Sequence, residues 1–95
     1  MKISKIIKDS SYAIYGLGLS GNSALKFLKK RNKKKIYTWD DKKNKNDIKK
    51  FNLFKKALDK VDYIVISPGI NIQKTKFKLT LSRNNKKIIT DLDLF

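Results

Sequence analysis

Short apolar runs separated by amphipathic stretches form the pattern of this chain. Four of the runs are rich in β-branched and aromatic side chains and have the length of strands. These predicted strands are Tyr12–Tyr15, Ile36–Trp39, Val61–Ile66 and Lys87–Thr90. Runs that are largely apolar, rather than strictly alternating, are typical of parallel strands that are covered on both faces.

Two of the intervening stretches have apolar residues at helical spacing. The first follows the first strand, and its apolar face consists of Ala24, Leu25, Phe27 and Leu28. The second begins after Asp47, which is a suitable N-cap residue. Its apolar face consists of Ile48, Phe51, Phe54 and Leu58. Both stretches therefore predict helices that pack one face against the sheet.

The stretch from Phe77 to Leu81 fits two structures. Phe77, Leu79 and Leu81 alternate with polar residues, which is the period of a strand, whereas Phe77 and Leu81 alone also fit helical spacing. We predict a helix, because the stretch lies between two parallel strands that need a crossover connection.

The resulting order is βαβαβαβ, which predicts a Rossmann-like α/β domain. We expect a parallel sheet of four to five strands with helices on both faces and right-handed crossovers. With 95 residues, the chain is expected to form a single domain, residues 1–95.

The charge of the chain is strongly positive, at +16 from 24 basic and 8 acidic residues. All but two of the basic residues are Lys, whereas proteins that read nucleic acid use Arg for bidentate contacts. We therefore favour a solvated lysine surface over a nucleic-acid interface. The chain has no Cys and no His, which excludes disulfides, thiolate metal sites and Ser–His catalysis.

Targeting and membrane signals are also weak in this sequence. No run approaches the roughly 20 apolar residues of a membrane span. The N-terminal residues have no apolar core of the secretory type. We expect no membrane association.

A glycine motif follows the first predicted strand and precedes the first predicted helix. It is Gly16-Leu17-Gly18-Leu19-Ser20-Gly21, which matches G-x-G-x-x-G. In this context Gly16 permits a tight turn, Gly18 lets a phosphate approach the backbone, and Gly21 lets helix and strand pack closely. The helix N-terminus offers free N–H groups to an anion, and Ser20 adds a hydroxyl. The motif predicts a nucleotide-type ligand, although a glycine turn without a ligand would have the same sequence.

Two further motifs follow the second and third strands. Asp40-Asp41-Lys42 begins 19 positions after Gly21, where dinucleotide-binding folds place an acid that accepts from ribose hydroxyls. An Asp at this position is equally suited to accept a hydrogen bond from a base N–H, or simply to cap the loop. Ser67-Pro68-Gly69-Ile70 predicts a sharp turn. Ligands of open parallel sheets bind at the carboxyl ends of the strands, where all three motifs lie.

Taken together, these motifs resemble the N-terminal domain of the Mur ligase family. The resemblance covers about residues 11–95 and rests on Gly16–Gly21, on Ser67–Ile70 and on the terminal Asp91-Leu92-Asp93-Leu94-Phe95, which is similar to the family's D-I-E-L-F segment. Within the family, the members that attach D-glutamate are most similar.

The resemblance implies a cytoplasmic bacterial ligase of peptidoglycan precursor synthesis, of which this chain is one part. The first domain of such ligases holds the uridine diphosphate (UDP) part of UDP-N-acetylmuramoyl-L-alanine. A central domain binds ATP and Mg²⁺, and a C-terminal domain helps to bind the amino acid. The substrate carboxylate is phosphorylated, and the amine of D-glutamate attacks the acyl phosphate. We expect no cofactor and no catalytic residue in this chain, which lacks G-x-x-x-x-G-K-[ST].

By this resemblance, ten residues at the strand ends would hold the UDP moiety. The diphosphate and uridine would face Gly18, Leu19, Ser20 and Gly21, the uracil and ribose would lie beside Asp40, Asp41 and Lys42, and the pocket would be closed by Ser67, Pro68 and Gly69. The family often has Asp-Thr/Ser-Arg where this chain has Asp40–Lys42, so the contacts differ there. Family members also often have an extra strand between the second and third, for which this chain offers only Phe51–Phe54. The alternative is a Rossmann domain that binds NAD, which the glycine motif and Asp40 support equally well.

Overall fold

A computed structural model describes residues 10–31 and 34–90 of the chain. The elements are β1 (Tyr12–Tyr15), α1 (Leu19–Arg31), β2 (Ile36–Trp39), α2 (Ile48–Lys60), β3 (Tyr63–Ile66), α3 (Lys78–Arg83), a 3₁₀ turn (Asn85–Lys87) and β4 (Ile88–Ile89). The predicted strands at 61–66 and 87–90 are shorter in the structure than in the sequence analysis. The 91–95 segment of the resemblance lies outside the described residues.

The four strands form one parallel sheet with the order β2-β1-β3-β4. In the register of the sheet, Tyr15 at the end of β1 lies between Trp39 of β2 and Ile66 of β3. The carboxyl ends of these three strands are therefore level with one another. The loops that follow them share one edge of the sheet.

The helices cover both faces of this sheet, as the sequence predicted. On one face, Tyr12 and Ile14 of β1 pack with Ala24 and Leu28 of α1. On the other face, Ala13 and Tyr15 pack with residues of α2 and α3. The consecutive side chains of β1 are all buried because they alternate between two covered faces. The Rossmann-like α/β fold is thus confirmed.

Helix α2 begins where the sequence predicted. The side chain of Asp47 accepts a hydrogen bond from the N–H of Lys50 at 2.9 Å and thereby caps the first turn. Phe51–Phe54 lie inside α2, so they supply no fifth strand. The sheet of the described residues has four strands.

The ambiguous stretch after Phe77 is helical. Phe77 and Leu81 are buried, whereas Leu79 between them is 79% exposed, as the i, i+4 spacing requires. Phe77 packs edge-on against Trp39 and is stacked on Phe51, with ring centroids 4.7 Å apart in the second pair. These ring contacts fasten α3 and α2 to the sheet directly beneath the strand ends.

Candidate functional site

The glycine loop between β1 and α1 is tightly packed on one side and bare on the other. Gly16 has a φ of +95°, and its N–H donates to the carbonyl oxygen of Trp39 at 2.7 Å. A Cβ on Gly16 would lie 2.7 Å from Ser67 Oγ, and a Cβ on Gly21 would overlap the carbonyl oxygen of Gly16. Gly18 differs, since a Cβ there would meet nothing within 4 Å. Gly18 therefore presents open backbone.

The turn after β3 closes against the glycine loop. The N–H of Ser67 donates to the carbonyl of Tyr15, and its hydroxyl donates to the carbonyl of Gly16, both at 3.1 Å. The N–H of Ile70 donates back to the carbonyl of Ser67 and completes the turn. A Cβ on Gly69 would meet nothing within 4 Å, so this turn also presents bare backbone.

The Asp40 carboxylate joins the glycine loop to the loop after β2. Its Oδ2 accepts from the N–H of Leu17 at 2.8 Å, and its Oδ1 accepts from the N–H groups of Lys42 and Lys43 at 2.9 and 3.0 Å. The bond from Leu17, followed by the bond from Lys43, holds the pKa of Asp40 below its ordinary value. Asp40 is therefore charged at neutral pH.

Asp41 is held by side chains beneath the site. Its Oδ2 accepts from the hydroxyl of Tyr15 at 2.7 Å, and its Oδ1 accepts from the indole N–H of Trp39 at 2.9 Å. The hydroxyl of Tyr15 is also within hydrogen-bond distance of Thr75 Oγ1. Burial, together with the bond to Asp41, raises the pKa of Tyr15, although the bond to Thr75 opposes this shift. Tyr15 therefore stays neutral and can donate.

A cleft of about 610 Å³ lies above these groups, at the carboxyl ends of β1, β2 and β3. Its lining consists of Tyr15, Gly16, Gly18, Leu19, Asp40, Asp41, Lys42, Ser67, Pro68, Gly69 and Ile70. A hollow of similar size follows residues 42–49, but a single exposed loop lines it. The cleft, by contrast, is built from three separate loops and is the better candidate site.

Eight of the ten residues singled out in the sequence line this cleft. The other two are Ser20, in the first turn of α1, and Gly21, which is buried against Gly16. Sequence reasoning missed the contribution of Tyr15, whose position as the last residue of a strand was the available signal. It also missed Asn22 and Lys43, for which the sequence has no signal. Asn22 Nδ2 donates to the carbonyl of Leu17 at 2.8 Å, and Lys43 Nζ does so at 3.4 Å.

Neither a metal-binding group of side chains nor a membrane-spanning helix occurs in the described part of the chain. Within residues 10–31 and 34–90, no three Asp side chains come together in a group that could hold a metal ion. Over the same ranges, no helix has the length and apolar character needed to cross a bilayer.

The comparisons with known proteins identify the family of this domain. The family model described as Mur ligase MurD-like, N-terminal domain, matches residues 10–90. This chain belongs to the MurD-like family of Mur ligase N-terminal domains. The family match includes all three loops that line the cleft.

A curated relative supports the same family. UDP-N-acetylmuramoylalanine--D-glutamate ligase of Aquifex aeolicus (strain VF5) is 35% identical to the chain over 83 residues. The match covers 87% of this chain and 18% of the relative, so the chain spans less than a fifth of that protein. No solved structure matches the chain significantly.

Proposed function

We propose that this domain binds the UDP moiety of UDP-N-acetylmuramoyl-L-alanine and serves as the N-terminal domain of an ATP-dependent ligase that adds D-glutamate. The single observation that carries the proposal is the three-loop cleft with bare backbone at Gly18 and Gly69. Its volume of about 610 Å³ lies within the range of small-molecule sites. The name of the Aquifex aeolicus relative, a UDP-N-acetylmuramoylalanine--D-glutamate ligase, supports this class of ligand.

The diphosphate would lie over the glycine loop. Gly18 has no side chain to hold a phosphate away, and the 13-residue helix α1 begins at Leu19, which lines the cleft. The first N–H groups of a helix point out of its N-terminus and suit an anion. Backbone donors of this kind bind an anion without the entropy that a long cationic side chain would lose. Ser20 and Gly21 belong to the same turn and would complete the phosphate subsite.

The uridine would lie between the loop after β2 and the side chain of Leu19. Leu19 is 90% exposed at the edge of the cleft, and an apolar side chain left so open can cover the face of a base. The segment Asp40–Lys42 would border the ribose and uracil on the other side. Ser67, Pro68 and Gly69 would close the cleft.

This domain would anchor the substrate and leave the chemistry to other parts of the ligase. The resemblance to the Mur ligases assigns ATP and Mg²⁺ to the central domain of such enzymes. We propose that ATP, Mg²⁺ and D-glutamate bind to the remaining domains of a bacterial, cytoplasmic enzyme, and that residues 1–95 form its substrate-binding domain.

The test is a separate titration of the chain with each of four ligands: UDP-N-acetylmuramoyl-L-alanine, UDP, NAD and a DNA oligomer. Binding is monitored by calorimetry or by the NMR chemical shifts of the backbone amides. We expect both uridine nucleotides to bind and to shift the amides of Gly18 and Gly69. Binding of NAD without binding of UDP would replace the proposal with the dinucleotide-binding alternative.

A substitution in the cleft sharpens this test. Gly18→Val should weaken UDP binding by about tenfold or more, because the branched side chain occupies the space for the phosphate, while the fold has room for the new Cβ. Asn52→Val, on the exposed side of α2 and outside the cleft lining, is the matched control and should bind as tightly as the parent chain. Equal affinities of the two variants would contradict the placement of the ligand.

A further inference from the structure

The Asp40 carboxylate is already occupied by the protein itself. Three backbone N–H groups donate to its two oxygens, those of Leu17, Lys42 and Lys43, at 2.8 to 3.0 Å. A carboxylate has about four lone-pair sites, so these three bonds use most of its acceptor capacity and fix its orientation. The bond to Leu17 crosses from one loop to another, 23 positions apart in sequence.

The peptide groups on both sides of Leu17 are fixed by this arrangement. The carbonyl of Leu17 accepts from Asn22 Nδ2 at 2.8 Å and from Lys43 Nζ at 3.4 Å, while its N–H is held by Asp40. Asn44 secures the loop that carries Asp40, since its side-chain oxygen accepts from the N–H of Asp40 at 2.9 Å. The glycine loop and the loop after β2 are thus fastened together at Leu17.

This geometry differs from the use of an acid in dinucleotide-binding folds, where the carboxylate accepts from ribose hydroxyls. For Asp40 to turn toward a ribose, it would release the part-buried N–H of Leu17 and separate the two loops. Losing a hydrogen bond to a charged acceptor destabilises the protein. A new bond from a ribose hydroxyl would recover only part of that free energy, because the hydroxyl gives up its hydrogen bond to water.

We propose that Asp40 is a positioning residue, which fixes the two walls of the cleft through Leu17 and does not accept a ribose hydroxyl of the ligand. The proposal rests on the proposed function in its choice of ligand. Its consequence is that Asp40 does not recognise the ribose hydroxyls and affects affinity only through the position of the two loops.

The test compares two ligands and two matched variants. The ligands are UDP and 2′,3′-dideoxyuridine 5′-diphosphate, which lacks both ribose hydroxyls. Asp40→Asn should weaken the binding of both ligands by about tenfold, because the amide has a single acceptor oxygen and cannot hold both loops. Asp62→Asn is the matched control at the amino ends of the strands, away from the cleft. There Asp62 accepts from the N–H of Ser11 at 2.8 Å. We expect it to leave both affinities unchanged.

If Asp40 contacts the ribose directly, the result differs in kind. Asp40→Asn would then weaken UDP but not the dideoxy ligand, and this outcome would overturn the proposal. A second variant, Asn22→Ala, removes a bond to the carbonyl of Leu17 from an exposed helical position and does not depend on the folding of Asp40→Asn. It should weaken both ligands by the same factor, and unchanged affinities would also contradict the proposal.

A measurement without ligand separates this inference from the proposed function. The amide hydrogen of Leu17 should exchange with solvent about tenfold faster in Asp40→Asn than in the parent chain or in Asp62→Asn. Unchanged exchange at Leu17 would overturn the positioning role, whether or not UDP binds. Failure of the parent chain to bind UDP, with accelerated exchange in the variant, would instead contradict the proposed function alone.

Discussion

Replacing Gly21 with alanine should destabilise the fold by about 2–3 kcal/mol. The added Cβ would overlap the carbonyl oxygen of Gly16, which is backbone and cannot swing aside as a flexible side chain would. Gly16 is itself held by its N–H bond to Trp39 and by the bond from Ser67 to its carbonyl. Relief of the overlap therefore requires α1 to move away from β1, which opens the apolar contacts of Ala24 and Leu28.

The neighbouring glycine is the matched control for this prediction. A Cβ on Gly18 would meet nothing within 4 Å, and the φ of this residue lies outside the positive region. The free energy of unfolding of Gly18→Ala should therefore stay within about 1 kcal/mol of that of the parent chain. Any change should favour the folded state, because alanine reduces the conformational entropy of the unfolded chain. Urea unfolding of the three proteins measures both differences. Equal midpoints for Gly21→Ala and Gly18→Ala would refute the argument that packing, rather than glycine content, determines the stability of this loop.

Three further predictions concern the polar groups under the cleft. Asp41→Asn should lower the free energy of unfolding by about 1–2 kcal/mol, because the amide cannot accept from both Tyr15 and Trp39, and urea unfolding checks this value. Trp39 is the single tryptophan, so Asp41→Asn should also change its emission in the folded state, whereas unchanged emission would contradict the bond to the indole. The pKa of Asp40 is lowered in the fold, so its contribution to stability is complete above about pH 4 and is lost as the pH falls further. The difference in unfolding free energy between the parent chain and Asp40→Asn should therefore shrink below about pH 4. A constant difference from about pH 6 to pH 3 would contradict the hydrogen bond from the N–H of Leu17 to Asp40.

The order of the elements could be predicted from the sequence because each strand is covered on both faces. Such strands appear as short apolar runs, and the connections between parallel neighbours have to leave the sheet. The same rule decided the stretch after Phe77, where the alternation of Phe77, Leu79 and Leu81 favoured a strand. A strand would have placed all three side chains on one face, whereas Leu79 is exposed and the other two are buried.

The direction of the polar side chains could not be predicted. The sequence placed Asp40 and Asp41 at the site, and both residues line the cleft. Their hydrogen-bond partners, however, depend on how three loops meet across the sheet. Asp41 bonds to Tyr15, 26 positions earlier, and Tyr15 bonds in turn to Thr75, 60 positions later. The register of the parallel strands brings these residues together, and the local sequence around each residue does not predict that register.

The distribution of charge follows from the same geometry. The chain carries a net charge of +16, yet Lys42 is the one basic residue among those that line the cleft in the described part of the chain. A net positive field speeds the arrival of an anion, but the orientation of the anion depends on donors at fixed positions. In the proposed site, the fixed donors would be the backbone N–H groups at the start of α1, and two aspartates hold the loops around them. Under the proposed function, the lysines, almost all on the outer surface, would attract the ligand without selecting it, and specificity would depend on the loops.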